Sequence, residues 1–179
     1  MTKPPTTPDA PWFEDFAVGQ VFETAGTTLS ERDIIEFAAR WDPQPFHVDA
    51  EAAKQHDFGG IFSSGLHTLC LTFRQFADAG VLANSAYAGA GLDRLRWLRP
   101  VRPGDTIRST AEVLEMRPST ARDDIGRVIM RHDAFNQRGE AVMTLVCTHV
   151  VQRRPRAGRG DGRAQAVSSS AGARRASPS

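Results

Sequence analysis

The chain has 179 residues, 40% apolar and 24% charged, proportions that suit one soluble domain with its own core. Its formal charge of +1 is uneven: seven of 22 basic residues, but only one of 21 acids, fall from Arg153 onward. The body before Arg153 is mildly acidic, which argues against a nucleic-acid partner, and no run reaches the roughly 18 apolar residues of a membrane helix.

The opening MTKPPTTPDAP is polar and proline-rich, without the basic start and apolar stretch of a secretory signal. A cytoplasmic protein with no membrane partner is expected. Residues 1–11 read as a flexible arm, and packing is expected to begin with Trp12, Phe13 and Phe16. Gln20–Leu29 has the β-branched and aromatic content of a strand, weakened at Gly26. Ser30, with Glu31 and Asp33 behind it, reads as a helix N-cap. Ile34, Phe37, Ala38 and Trp41 then fall on one helical face until Pro43 and Pro45 end it. Asp49 can cap a short helix over Ala50–His56.

Gly59 and Gly60 interrupt the pattern, and Ser63 or Ser64 can cap a longer helix that Gly80 stops. Leu66, Leu69, Cys70, Leu71 and Phe73 make its first turns apolar on nearly every side, so it is expected to be wrapped by other structure. Four strands follow, over Leu92–Val101, Asp105–Arg117, Ile125–Asn136 and Glu140–Gln152, with turns at Pro103-Gly104-Asp105 and Asn136–Gly139. One strand, three helical pieces and four strands read as an α+β domain over 12–152, its helices packed on an antiparallel sheet. From 153 onward Arg, Ala, Gly, Ser and Pro dominate, a composition that does not offset its ordering entropy. Cys70 and Cys147 sit in apolar runs and are expected to be two buried, reduced thiols.

The chemistry concentrates in Arg40–Asp49, RWDPQPFHVD. A carboxylate at Asp42 and an imidazole at His47 flank two prolines, which can fix both groups on a rigid, non-helical segment. Acid/base catalysis needs such positioning, because each group must stay within hydrogen-bond reach of the proton it moves. An arbitrary Asp–His pair at this spacing is more often a capping Asp and an exposed His. Downstream, however, Ser63-Ser64-Gly65 enters the apolar helix. Its first N–H groups lack partners and favour a negative oxygen, and Gly65 lets that oxygen approach closely, as an oxyanion hole requires.

The segment Phe37–Phe73, FAARWDPQPFHVDAEAAKQHDFGGIFSSGLHTLCLTF, resembles the motif region of the MaoC-like dehydratases, which include the (R)-specific enoyl-CoA hydratases. RPVRPGDT at Arg99–Thr106 is similar to that family's strand-and-turn region. The resemblance covers about residues 13 to 151. It implies a hot-dog fold, a long central helix wrapped by an antiparallel β-sheet, and a homodimer or higher homo-oligomer. It also implies that Asp42 and His47 are the catalytic dyad and that the Gly65 N–H faces the thioester oxygen. Gln44 stands where many members carry Asn, Phe46 where an aliphatic residue is common, and Trp41 where glycine is frequent.

Hydration or dehydration of a 2-enoyl thioester, on coenzyme A or a carrier protein, is therefore the expected reaction. His47 would act as base, while Asp42 orients water and relays a proton. No metal and no cofactor is expected beyond the coenzyme A of the substrate itself. Gln44, Ser64 and Trp41 are expected to touch substrate, and Arg96 and Arg99 to grip its phosphates. With Arg94 and Arg102, those arginines read equally well as a solvated strand edge. A thioesterase on the same fold and a non-catalytic acyl-binding subunit remain open. His67 reads as a site neighbour or as the filling of a polar niche. His56 is expected to end the short helix, and His132 and His149 to be satisfied or exposed strand residues.

Overall fold

The computed structural model describes residues 10–155. A 3-10 turn at Phe13–Asp15 leads into β1 (Val21–Glu23) and β2 (Thr27–Thr28). Helices α1 (Glu31–Trp41), α2 (Pro45–Val48), α3 (Ala50–Lys54) and α4 (Gly65–Asp78) follow, then β3 (Ala86–Trp97), β4 (Thr106–Pro118), β5 (Ile125–Phe135) and β6 (Ala141–Gln152). The strands pair antiparallel in the order β1-β4-β5-β6-β3, with β2 also on β4. Helix α4 lies against the inner face of this sheet, which is the hot-dog arrangement.

Local signals account for most boundaries. The Ser30 hydroxyl accepts the Asp33 N–H while the Asp33 carboxylate accepts the Ser30 N–H, a reciprocal capping box. Asp49 accepts from the amides of Glu51 and Ala52 to start α3. Gly80 follows the end of α4 with φ +71°, a left-handed conformation that favours glycine. Buried residues alternate along β4, β5 and β6, so one face of each strand builds the core. Ile34, Ile107, Met143 and Leu145 anchor one apolar cluster, and Phe13, Phe76, Val113 and Met130 another.

Several expectations are corrected. The expected strand over Gln20–Leu29 is two pieces separated by Thr24–Gly26. The strand expected from Leu92 starts at Ala86, because main-chain pairing with β6 holds the small residues Ala88–Gly91, which carry no apolar pattern. Helix α4 is covered on one side only. Its buried stripe is Thr68, Thr72, Gln75 and Phe76, whereas Leu66 is 44% exposed and Cys70 is also exposed. Thr72 satisfies its hydroxyl on the Thr68 carbonyl, so polar residues with partners, rather than leucines, face the sheet.

Packing starts at Ala10, which is buried, and Ser85 Oγ donates to the Pro11 carbonyl at 2.6 Å. At the other end Arg153 and Arg154 pair with Glu14 and Asp15. Hydrogen bonds rather than apolar burial hold both ends, so hydropathy does not reveal them. The rest of the expected arm and tail, 1–9 and 156–179, lies outside the described residues.

Gln75 ties helix to sheet. Its Nε2 donates to the Ile107 carbonyl at 2.7 Å and to Thr27 Oγ1 at 3.1 Å, and its Oε1 accepts from Ser109 Oγ at 2.9 Å. Replacing it strands buried partners, each worth about 1–3 kcal/mol. Gln75→Leu is therefore expected to lower stability in urea denaturation by about 2 kcal/mol or more.

Candidate active site

Asp42 and His47 come from the two ends of a tight connection. Asp42 is the C-cap of α1, its N–H on the Ala38 carbonyl at 2.8 Å, and it leaves helical geometry at φ −156° and ψ 67°. His47 lies within α2, a single helical turn with Pro45 at its first position. This corrects the expected non-helical segment. Pro45 starts the turn because its ring presets φ and the missing N–H is not needed there. Gln44 serves that turn through its backbone, accepting the His47 N–H at 2.9 Å.

The imidazole of His47 is 5% exposed and is packed edge-on against the rings of Phe46 and Phe62. Its Nδ1 lies 2.7 Å from the Phe62 carbonyl oxygen. A carbonyl can only accept, so Nδ1 carries the hydrogen, and in the neutral ring Nε2 holds the lone pair. That Nε2 stands 3.6 Å from Asp42 Oδ2, beyond a direct hydrogen bond yet close enough for one small group to engage both.

The helix start supplies the third side. Ser64 is fully buried; its Oγ accepts the Leu66 N–H at 3.2 Å and donates to Asp42 Oδ2 at 2.6 Å. Gly65 is the first residue of α4, where main-chain N–H groups lack carbonyl partners within the helix. A side chain there has no room: a Cβ on Gly65 would stand 2.4 Å from Cε2 of Trp97. The indole packs on Gly65 and donates from Nε1 to its carbonyl at 2.9 Å. Packing alone thus demands glycine here.

One cavity of about 390 Å³ collects Asp42, His47, Ser64, Gly65 and Arg99. Phe58, Phe62, Leu66, Trp97 and Val101 give it mainly apolar walls. Arg99 is exposed and donates to the Ala141 carbonyl. Three expected substrate contacts do not line this cavity. Gln44 is exposed at the head of α2, and Trp41 is 63% exposed under the Arg40 guanidinium. Arg96 is exposed beside a bulge between Asp93 and its own position, where its guanidinium turns back to the Leu95 carbonyl.

His67 fills a niche, stacked on Phe37 at 4.4 Å, with its Nδ1 buried and without a hydrogen-bond partner. Burial pushes its pKa below the usual imidazole value, against the pull of Asp33. His56 follows α3 and packs against Phe58. The sequence did not single out Trp97 or the Phe62 carbonyl. The first reaches the site from 32 positions beyond Gly65, and the second acts through its backbone.

An antiparallel sheet curled on one long helix, with an acid–imidazole pair beside that helix's N-terminus, defines a hot-dog protein of the hydratase type. The model of the MaoC like domain matches residues 15–131, and the chain belongs to this family of MaoC-like dehydratases. It is 34% identical over 125 residues to the uncharacterized protein YdeM of Bacillus subtilis, covering 70% of this chain and 87% of that one. It is similar to the crystal structure of the MaoC-like dehydratase from Rhodospirillum rubrum. That likeness has a TM-score of 0.76 and 42% identity, over 81% of this chain and 99% of the other. An R-hydratase from Pseudomonas aeruginosa aligns with a TM-score of 0.62 and 28% identity, over 80% and 86% of the two chains.

The protonation pattern is directly measurable. Long-range ¹H–¹⁵N NMR near neutral pH is expected to find neutral His47 protonated at Nδ1, with an unprotonated Nε2.

Proposed function

We propose that this protein interconverts 2-enoyl and 3-hydroxyacyl thioesters, with His47 and Asp42 as its acid/base pair. The observation that carries this reading is His47 Nε2 standing 3.6 Å from Asp42 Oδ2 beside the start of α4, with Nδ1 held by the Phe62 carbonyl. In the hydration direction Nε2 takes a proton from water as the water oxygen bonds to C3. The C2–C3 π pair moves toward the thioester carbonyl, and the charge gathering on its oxygen meets the N–H of Gly65. Asp42 steadies the imidazolium and relays the proton to C2. Water is thereby added across the double bond, and both side chains return to their starting state. The two groups act as a coupled pair.

Among the described residues no helix is long and apolar enough to cross a membrane. The volume of about 390 Å³ is at the small end of ligand pockets, favouring a short acyl group. Arg99 sits where it can meet the phosphates of a coenzyme A moiety. With purified protein, loss of enoyl absorbance on short 2-enoyl-CoA substrates is the expected activity, without release of free thiol. Asp42→Asn and His47→Gln should each lower turnover by at least about a hundredfold with the fold intact. Near-normal hydration by both variants would overturn the dyad assignment, and rapid thiol release would point to thioester hydrolysis instead.

We further infer that the working form is a homodimer. Among the described residues strand β3 ends the sheet with one edge unpaired, and Tyr87, Leu92, Trp97 and Leu98 on or beside it are about half exposed. A long, apolar open edge invites pairing with another chain. Light scattering during gel filtration is expected to give twice the chain mass, and a monomer would refute this assembly.

A further inference from the structure

A second group of reactive side chains lies apart from the dyad cavity, on the inner face of the sheet. His132 on β5 stands opposite Leu145 on β6, and Met130 opposite Cys147. Directly opposed residues of antiparallel strands share a face, so His132, Cys147 and His149 all point toward α4. All three are buried, at 1%, 3% and 6% exposure. His132 Nε2 and His149 Nε2 are 3.0 Å apart, and Cys147 Sγ is 3.9 Å from His149 Nδ1. One donor atom from each residue lies within 4.8 Å of the other two.

Two imidazoles and one thiol form the donor set that suits a borderline or soft metal ion. Two nitrogens each about 2.0–2.1 Å from one tetrahedral ion stand roughly 3.3 Å apart. The observed pair needs to open by only a few tenths of an ångström. The rings of Phe73 and Phe76 pack against both imidazoles. Cys147 and His149 also wall an apolar cavity of about 750 Å³ between the end of α4 and β3, which offers an entry path and an open fourth position.

We propose that His132, Cys147 and His149 form a binding site for a thiophilic divalent metal ion of the zinc class, independent of the Asp42–His47 dyad. Binding breaks the Cys147 S–H bond and forms a metal–thiolate bond, releasing one proton. One nitrogen of each imidazole turns its lone pair to the ion, and the single hydrogen of each neutral ring stays on the other nitrogen. The metal is neither oxidised nor reduced.

Cobalt(II) is the probe, added to the reduced, tag-free full chain and followed by desalting. About one retained equivalent is expected, with the near-ultraviolet charge-transfer band that requires a thiolate ligand. Because Cys70 is exposed, Cys70→Ser should fold normally and keep both signals, leaving Cys147 as the one possible thiolate ligand. Cys147→Ser should abolish the band, and His132→Asn should cut retained cobalt at least tenfold, with far-ultraviolet circular dichroism monitoring the fold. No band in the Cys70→Ser protein, or retention well below one equivalent, would overturn the site even if the other variants failed to fold. Zinc added afterwards should displace the cobalt and bleach the band.

Discussion

Ser64 Oγ accepts the Leu66 amide and donates to Asp42 Oδ2, so the start of the buried helix and the Asp42 carboxylate meet at one oxygen. A buried hydroxyl has one hydrogen to give, and here its direction is set by what surrounds it. The amide of Leu66 needs an acceptor because it opens the helix, which leaves the hydroxyl hydrogen for the carboxylate. Helix capping and site geometry are thus one constraint. Moving α4 along its axis would break the cap and release Asp42 together. The Phe62 carbonyl, two residues before Ser64, holds His47 Nδ1, so the same short segment orients both members of the pair.

The rest of the fold serves to hold that segment still. Ser63 donates its N–H to the Val101 carbonyl at 2.7 Å, joining the segment to the chain between β3 and β4. Gln75 binds the far half of α4 to β4. Both contacts use main-chain carbonyls as anchors, which suits a helix whose buried stripe is three-quarters polar. Such a stripe fixes the rotation of α4 about its axis more tightly than interchangeable leucines, since each polar group has few acceptable positions. Among the apolar residues of α4, Leu69, Leu71 and Phe73 pack against one core cluster and Phe76 belongs to the other. Leu66 also lines the dyad cavity, and Phe73 and Phe76 line the larger cavity.

Much was legible locally. Ser30, Asp49 and Gly80 mark their helix ends because capping depends on neighbours within four residues. Asp42 and His47 were legible as a pair for a related reason: prolines between them restrict the chain whatever the rest of the fold does. Cys70 was misread because an apolar run says nothing about which side of a helix is covered. Gln44, Trp41 and Arg96, expected to touch substrate, do not line the dyad cavity. Gln44 is exposed at the head of a helical turn, Trp41 is exposed under Arg40, and Arg96 bonds the Leu95 carbonyl beside a β-bulge.

By itself, the sequence determined the order of elements, most helix caps, the candidate dyad and the glycine that opens α4. These rest on short-range backbone preferences and side chains close along the chain. Tertiary structure alone decided the 3.6 Å approach of His47 to Asp42, the hydrogen on His47 Nδ1, and the indole of Trp97 on Gly65. It also brought His132, Cys147 and His149 together from two strands. Those juxtapositions depend on strand register and on the rotation of α4. Both are set by packing over the whole core, and no local window of residues contains that information.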